Sequence, residues 1–225
     1  MEISPIAHIE TDFPEKFGIP RQSGLVEELA GRVVFLPEYR DPDALRGIEQ
    51  FSHIWLLWEF SQAKRESRSL TVRPPRLGGN TRMGVFATRS PFRPNPIGLS
   101  VVKLIKVEYG TARGAVLHVA GADLMNGTPI YDVKPYLPYV DSKPDALGGF
   151  ALSTSEDILA VSLPEELAAR VPAGKLPALR RVLAQDPRPQ YQSDPERLYT
   201  MSFGALEVRF RVEDGTAIVT DIFPR

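Results

Sequence analysis

The chain has 225 residues, 43% of them hydrophobic and 24% charged, with a formal net charge of −1. That length allows one large core with a small appended unit. The absence of cysteine excludes a disulfide framework and thiolate metal sites, and three histidines without an HxH or HExxH pattern leave no zinc motif. No apolar run is long enough for a transmembrane helix, and MEISPIAHIE lacks the basic start and apolar stretch of a secretory signal. The expectation is therefore a soluble, cytoplasmic, metal-free protein.

Twenty-one prolines argue against long helices in the first part of the chain. Strands are expected at Gly31–Leu36, His53–Phe60, Ser100–Val107 and Gly114–Val119. A short helix over Asp41–Gly47 should be capped by Asp41 or Asp43. Several short strands between Gly/Pro turns imply a closed or partly closed sheet. In His53–Phe60, Trp55 and Trp58 read as core residues. His53 and His118 read as buried, hydrogen-bonded side chains and not as catalysts. Polar turn residues gather at Asp141–Asp145, where a mainly β unit (1–145) gives way to a small α+β unit (146–225). The second unit starts with helices at Leu163–Arg170 and Leu176–Ala184, the latter with Leu176, Leu179, Val182 and Leu183 on one face. It ends with a hairpin of Leu206–Val212 and Ala217–Ile222 about Asp214-Gly215.

Two segments carry unusual chemistry. From Lys64 to Arg93 there are eight basic residues and one acid, Glu66. Such a run suits a phosphate surface, because neutralised phosphates release counterions, and it equally describes a solvated loop. Within it, Arg73–Gly98 sets forked guanidinium groups on a proline- and glycine-rich backbone, as phosphate or carboxylate recognition requires. The second segment, Ala122–Tyr139, places Asp123, Asp132 and Lys134 among Tyr131, Tyr136 and Tyr139. That composition would hold a cationic or aromatic ligand, or pack as ordinary turn chemistry. Gly78-Gly79 is no nucleotide fingerprint, since GxGxxG is absent.

At these segments the chain resembles the TsaA/YaeB-type methyltransferases, also called TrmO. The resemblance rests on Ile19–Gln22 (IPRQ), Arg73–Asn80 (RPPRLGGN), Met83–Arg89 (MGVFATR), Phe92–Gly98 (FRPNPIG) and Asp132–Pro138 (DVKPYLP), with Gly127–Pro129 and Ala184–Pro189 in agreement. It implies a non-Rossmann β-barrel that binds S-adenosyl-L-methionine, a small α+β C-terminal domain, and a homodimer. The implied reaction is methylation of N6 of N6-threonylcarbamoyladenosine at position 37 of tRNA, beside the anticodon. The positions that match cofactor contacts in the family are Gln22, Ser23, Gly24, Ser61, Gln62, Arg89, Leu99, Asp123, Leu124, Met125 and Asn126. Asparagine at 126 is a departure, because relatives commonly carry an acid there.

On this reading Asp132 accepts the proton of a weakly nucleophilic, urea-like nitrogen, while Lys134 and Tyr136 orient the base. Arg93, with Arg89, holds the threonyl carboxylate. Arg73, Arg76, Arg82 and Arg188 meet phosphates, and Tyr191 stacks on a base. Two alternatives remain open: an RNA-binding barrel without catalysis, and a methyltransferase for a small adenine-containing molecule.

Overall fold

Alternation decides which side of each strand turns inward. In β3 (His53–Glu59) Ile54, Leu56 and Trp58 are buried and the residues between them half-buried. In β6 (Ile97–Thr111) Gly98, Ser100, Val102 and Leu104 turn inward, leaving Ile97, Leu99, Lys103 and Ile105 exposed. In β7 (Gly114–Ala120) Leu117 and Val119 are buried and His118 between them is not. The computed structural model describes residues 2–63, 69–74, 77, 81–154, 158–188 and 194–225, with backbone alone for 152–154.

In it these strands join β1 (Ala7–Glu10), β2 (Ala30–Phe35) and β8 (Thr128–Pro135) in a closed barrel of order β1-β2-β7-β6-β3-β8. Every pairing in it is antiparallel. Closure leaves no strand edge unpaired, and the interior fills with Ile9, Val33, Ile54, Leu56, Leu117, Leu124 and Ile130. Part of the basic segment forms a two-stranded ribbon, β4 (Thr71–Val72) with β5 (Met83–Gly84).

Between β2 and β3 the expected helix is a single 3-10 turn, Pro42–Leu45, with Asp41 as its cap accepting the Asp43 amide at 2.9 Å. The two histidines depart from expectation in burial, though not in bonding. Both face outward, half-buried; His53 Nδ1 lies 2.9 Å from the Ser52 hydroxyl and His118 Nε2 2.7 Å from Glu108. Trp55 also faces outward, donating to Asp141 at 3.0 Å, while Trp58 alone of the pair is in the core.

A second sheet has order β10-β11-β12-β9, from β9 (Ala160–Ser162), β10 (Tyr199–Phe203), β11 (Leu206–Glu213) and β12 (Thr216–Pro224). The β11–β12 turn has Asp214 and Gly215 both at positive φ, 46° and 71°, as a tight type I′ turn demands. After β8, α1 (Pro138–Asp141) lies against the barrel through the Trp55–Asp141 bond, and α2 (Glu165–Ala168) and α3 (Leu176–Ala184) lie in this second half. The apolar face read for α3 packs as expected, with Leu179, Val182 and Leu183 buried and Leu176 beside them. The helix expected over Leu163–Arg170 is shortened to the one turn of α2.

The second core is not built from residues after 145 alone. Phe13, Val26 and Leu29, with Phe17 and Ile19, leave the barrel between β1 and β2 and pack among Leu179, Met201, Phe203 and Phe210. Phe13 meets Phe203 edge-on at 5.8 Å. Asp12 pairs with Lys175 and its carbonyl takes the Gly204 amide at 2.7 Å, and Ser202 donates to Glu15 at 3.0 Å. Gly18, at φ 95°, lies so close to Met201 that a Cβ would stand 2.3 Å from its sulfur. The connection from 11 to 29 is thus clamped to the second sheet.

Candidate active site

A cleft of about 660 Å³ opens where that clamped connection, the end of β3, the loop before β6 and the turn after β7 converge. Such a volume lies within the range of small-molecule sites, roughly 300–1,000 Å³. Its apolar walls include Trp58, Phe60, Ile97, Leu99 and Met125, and its polar groups Gln22, Ser61, Gln62, Arg89, Arg93 and Asp123.

Asp123 sits just beyond β7, where the chain turns back toward β8. Burial raises its pKa above the ordinary carboxylate range, opposed by the Ser100 hydroxyl, the Arg89 charge and the Ser23 amide. Ser100 donates to Asp123 Oδ1 at 2.6 Å and accepts from the Trp58 indole at 3.0 Å. Arg89 donates to the Gln22 side chain across the cleft mouth, so the 11–29 connection and the basic loop are joined there. Arg93 donates to the Thr88 carbonyl at 3.0 Å, and Lys16 reaches the Gln62 carbonyl at 3.2 Å.

The lack of a side chain at Gly98 makes room for this arrangement. A Cβ there would stand 2.2–2.6 Å from three atoms of the Trp58 indole. Gly98→Ala should therefore displace Trp58 and cost about 1–3 kcal/mol of stability. A lowered melting temperature with altered tryptophan fluorescence would register both effects; unchanged fluorescence would show that the indole stays in place.

Of the residues expected to hold a cofactor, Gln22, Ser61, Gln62, Arg89, Leu99, Asp123 and Met125 line this cleft. Ser23 reaches it only through its amide, which bonds Asp123, while Gly24, Leu124 and Asn126 do not line it, for local reasons. Gly24 gives its amide to the Gly121 carbonyl at 2.9 Å, anchoring the connection to the end of β7. The Leu124 side chain is wholly buried inside the barrel. Asn126 accepts the Thr11 amide at 3.1 Å and donates its own amide to Phe13, a staple that an acid could also make on its acceptor side.

Among the residues expected to catalyse, only Arg93 lines the cleft. Asp132 and Lys134 form a 2.8 Å ion pair on the barrel's outer face, because Ile130 and Val133 take the inward positions of β8. Asp132 holds the Lys134 ammonium above its ordinary range. Tyr136 packs outside as well, 5.8 Å from Trp55 and 6.2 Å from His53. Cross-strand register sets Asp132 opposite Leu57 and Leu57 opposite Leu99, so this pair lies on the same outer face as the cleft's rim, two strands away.

Arg73 and Arg82 are both exposed and follow directly from the Val72–Met83 pair, at one end of the ribbon. Arg188 does not present a free fork: Asp186 takes it at 2.8 and 2.9 Å, and the pair is part-buried. Arg76 and Tyr191 lie outside the described residues, as do Lys64, Arg65, Glu66, Arg68, Gly78, Gly79 and Asn80. Groups of the site that were not foreseen include Lys16, Arg21, Trp58, Ser100 and Glu59, the last bound by the Tyr131 hydroxyl at 2.8 Å.

The chain matches the family described as the tRNA-methyltransferase O N-terminal domain over residues 8–142, and the TrmO C-terminal domain over 157–225. It is 43% identical to the tRNA (adenine(37)-N6)-methyltransferase of Escherichia coli K12, across 100% of this chain and 98% of that one. A Pseudomonas aeruginosa relative, provisionally named an S-adenosylmethionine-dependent methyltransferase, is 44% identical across 92% of this chain and 91% of its own. A crystal structure of TrmO from P. aeruginosa superposes with a TM-score of 0.80 at 36% identity, covering 100% of this chain and 97% of that chain. With both family regions matched, the barrel closed in the same architecture and relatives similar over their full length, the chain belongs to the tRNA-methyltransferase O family.

Proposed function

We propose that this protein methylates N6 of threonylcarbamoyladenosine at position 37 of tRNA, with S-adenosyl-L-methionine as donor, in the cytoplasm and as a homodimer. The observation that carries the reading is the cleft itself. It gathers a half-buried carboxylate, a guanidinium and an apolar wall in a volume suited to an adenosine bearing a charged amino-acid arm. Gln22, Ser61, Gln62, Arg89, Leu99, Asp123 and Met125 would hold the donor, which supplies an electrophilic methyl group on a sulfonium. Asp123 gives the site a negative group for a cation, and Arg89 a positive one for a carboxylate.

Methyl transfer asks the protein mainly to align nucleophile and donor. Arg93, at the cleft rim, takes the threonyl carboxylate; its side chain is held at the backbone by Thr88, leaving its other donors for the substrate. Arg73 and Arg82 lie on the same basic loop for the anticodon stem-loop. The apolar outer face of β6 and β3, with Leu57, Leu99 and Ile97, runs from the cleft to Asp132. A second copy seated on that face would carry the partner's Asp132 to the cleft, where it accepts the proton from N6 while Lys134 and Tyr136 orient the base.

The test compares tRNA with and without the threonylcarbamoyl group, using wild type and Arg93→Ala. A carboxylate contact to one arginine is worth about 1.5–3 kcal/mol, so Arg93→Ala should lose about 10- to 100-fold in kcat/KM on the modified tRNA. Unchanged turnover would remove Arg93 from the substrate site, and equal turnover of both tRNAs by wild type would remove the threonylcarbamoyl specificity.

A further inference from the structure

From the cleft a polar chain runs inward into the barrel, from Asp123 to Ser100 to Trp58. Ser100 is buried at 1% exposure and Trp58 at 8%. Buried polar groups are costly unless bonded, so a chain of them in an otherwise apolar core specifies one arrangement. The direction of this one is determined. An indole N–H can only donate, so the Ser100 oxygen must accept from Trp58 at 3.0 Å, and its single proton is left for Asp123 at 2.6 Å. Gly98 leaves the room in which the indole makes this contact, since a Cβ there would collide with the ring.

We propose that Ser100 and Trp58 are positioning residues of the donor site: the indole fixes the serine hydroxyl, and the hydroxyl fixes one oxygen of Asp123. The remaining lone pairs of that carboxylate are then presented to a cationic group of the bound methyl donor. The inference rests on the reading of the cleft as the donor site.

Other charges face Asp123 or share its cleft. Arg89 comes from the basic loop, the Ser23 amide from the 11–29 connection, and Lys16, Arg21, Glu59 and Arg93 line the same space. Burial raises the Asp123 pKa, and Ser100 lowers it. A cation needs the ionised carboxylate, so donor affinity should rise with pH as Asp123 ionises, above the ordinary carboxylate range. Losing the serine donor moves that rise to higher pH.

The experiment is calorimetric titration of the full chain with S-adenosylmethionine across a pH series. Ser100→Ala should shift the midpoint upward by about one pH unit, equal to about tenfold weaker binding below it. Ser100→Thr keeps the hydroxyl and should restore the wild-type midpoint. Trp58→Phe frees the hydroxyl to rotate and should shift the midpoint the same way by less, which serves if Ser100→Ala folds poorly. Asp123→Asn should bind weakly with no rise, separating Asp123 from Glu59. A purely structural role would lower melting temperature and leave the midpoint unmoved. Superposable wild-type and Ser100→Ala profiles would overturn the relay alone, whereas no binding by wild type at any pH would overturn the donor reading and the relay with it.

Discussion

Arg89→Ala is expected to weaken S-adenosylmethionine binding by about 10- to 100-fold while leaving the melting temperature nearly unchanged. Arg89 is exposed, so its removal opens no cavity. Its effect is on the cleft: it holds the Gln22 side chain and supplies the positive charge facing Asp123. A hydrogen bond to a charged group contributes about 1.5–3 kcal/mol, and each 1.36 kcal/mol is tenfold. Arg89→Lys keeps the charge but not the planar fork, and should recover only part of the loss. Calorimetry on the three proteins checks this; equal affinities would place the donor elsewhere.

Phe13→Ala should be the most destabilising of the substitutions considered. Phe13 is buried at 1% in the second core, edge-on to Phe203, and truncating a buried phenylalanine costs about 3–5 kcal/mol. For a chain of this size the melting temperature should fall by roughly 6–20 °C. It should also weaken donor binding at temperatures where the variant is folded, because Phe13 anchors the connection carrying Ile19 to Gln22 to the cleft. Leu179→Ala, in α3 of the same core, supplies the contrast: comparable loss of stability with donor affinity retained. If both variants lost affinity equally, the clamp would be a general property of the core and not of the connection.

The strands that were readable are those whose two faces differ. β11 alternates apolar and charged residues, β2, β3, β6, β7 and β12 carry short runs rich in apolar and β-branched residues, and α3 carries its stripe at helical spacing. β1 is only four residues long and half polar, too short to show a period. β8 starts next to Pro129 and ends at Pro135, with a register shift opposite Leu57 and Trp58, so its alternation is broken. The packing of Phe13, Phe17 and Ile19 into the second core has no local signature, because an irregular connection has no period.

The site was legible only through family likeness. Composition indicated a basic, ligand-shaped loop, and the motifs supplied the residues that converge on the cleft. Ser100 and Trp58 were invisible as site residues because inward positions of a strand normally hold core. That Asp132 and Lys134 lie outside this chain's cleft was hidden for a related reason: a cluster of charges and tyrosines in sequence says nothing about which face of β8 each one takes.

The most direct test of the methyltransferase reading is mass spectrometry of nucleosides from tRNA incubated with the purified protein and S-adenosylmethionine. The expected result is a cofactor-dependent gain of one methyl group on threonylcarbamoyladenosine. No gain on fully threonylcarbamoylated tRNA, with donor binding intact, would contradict it and point to a different acceptor.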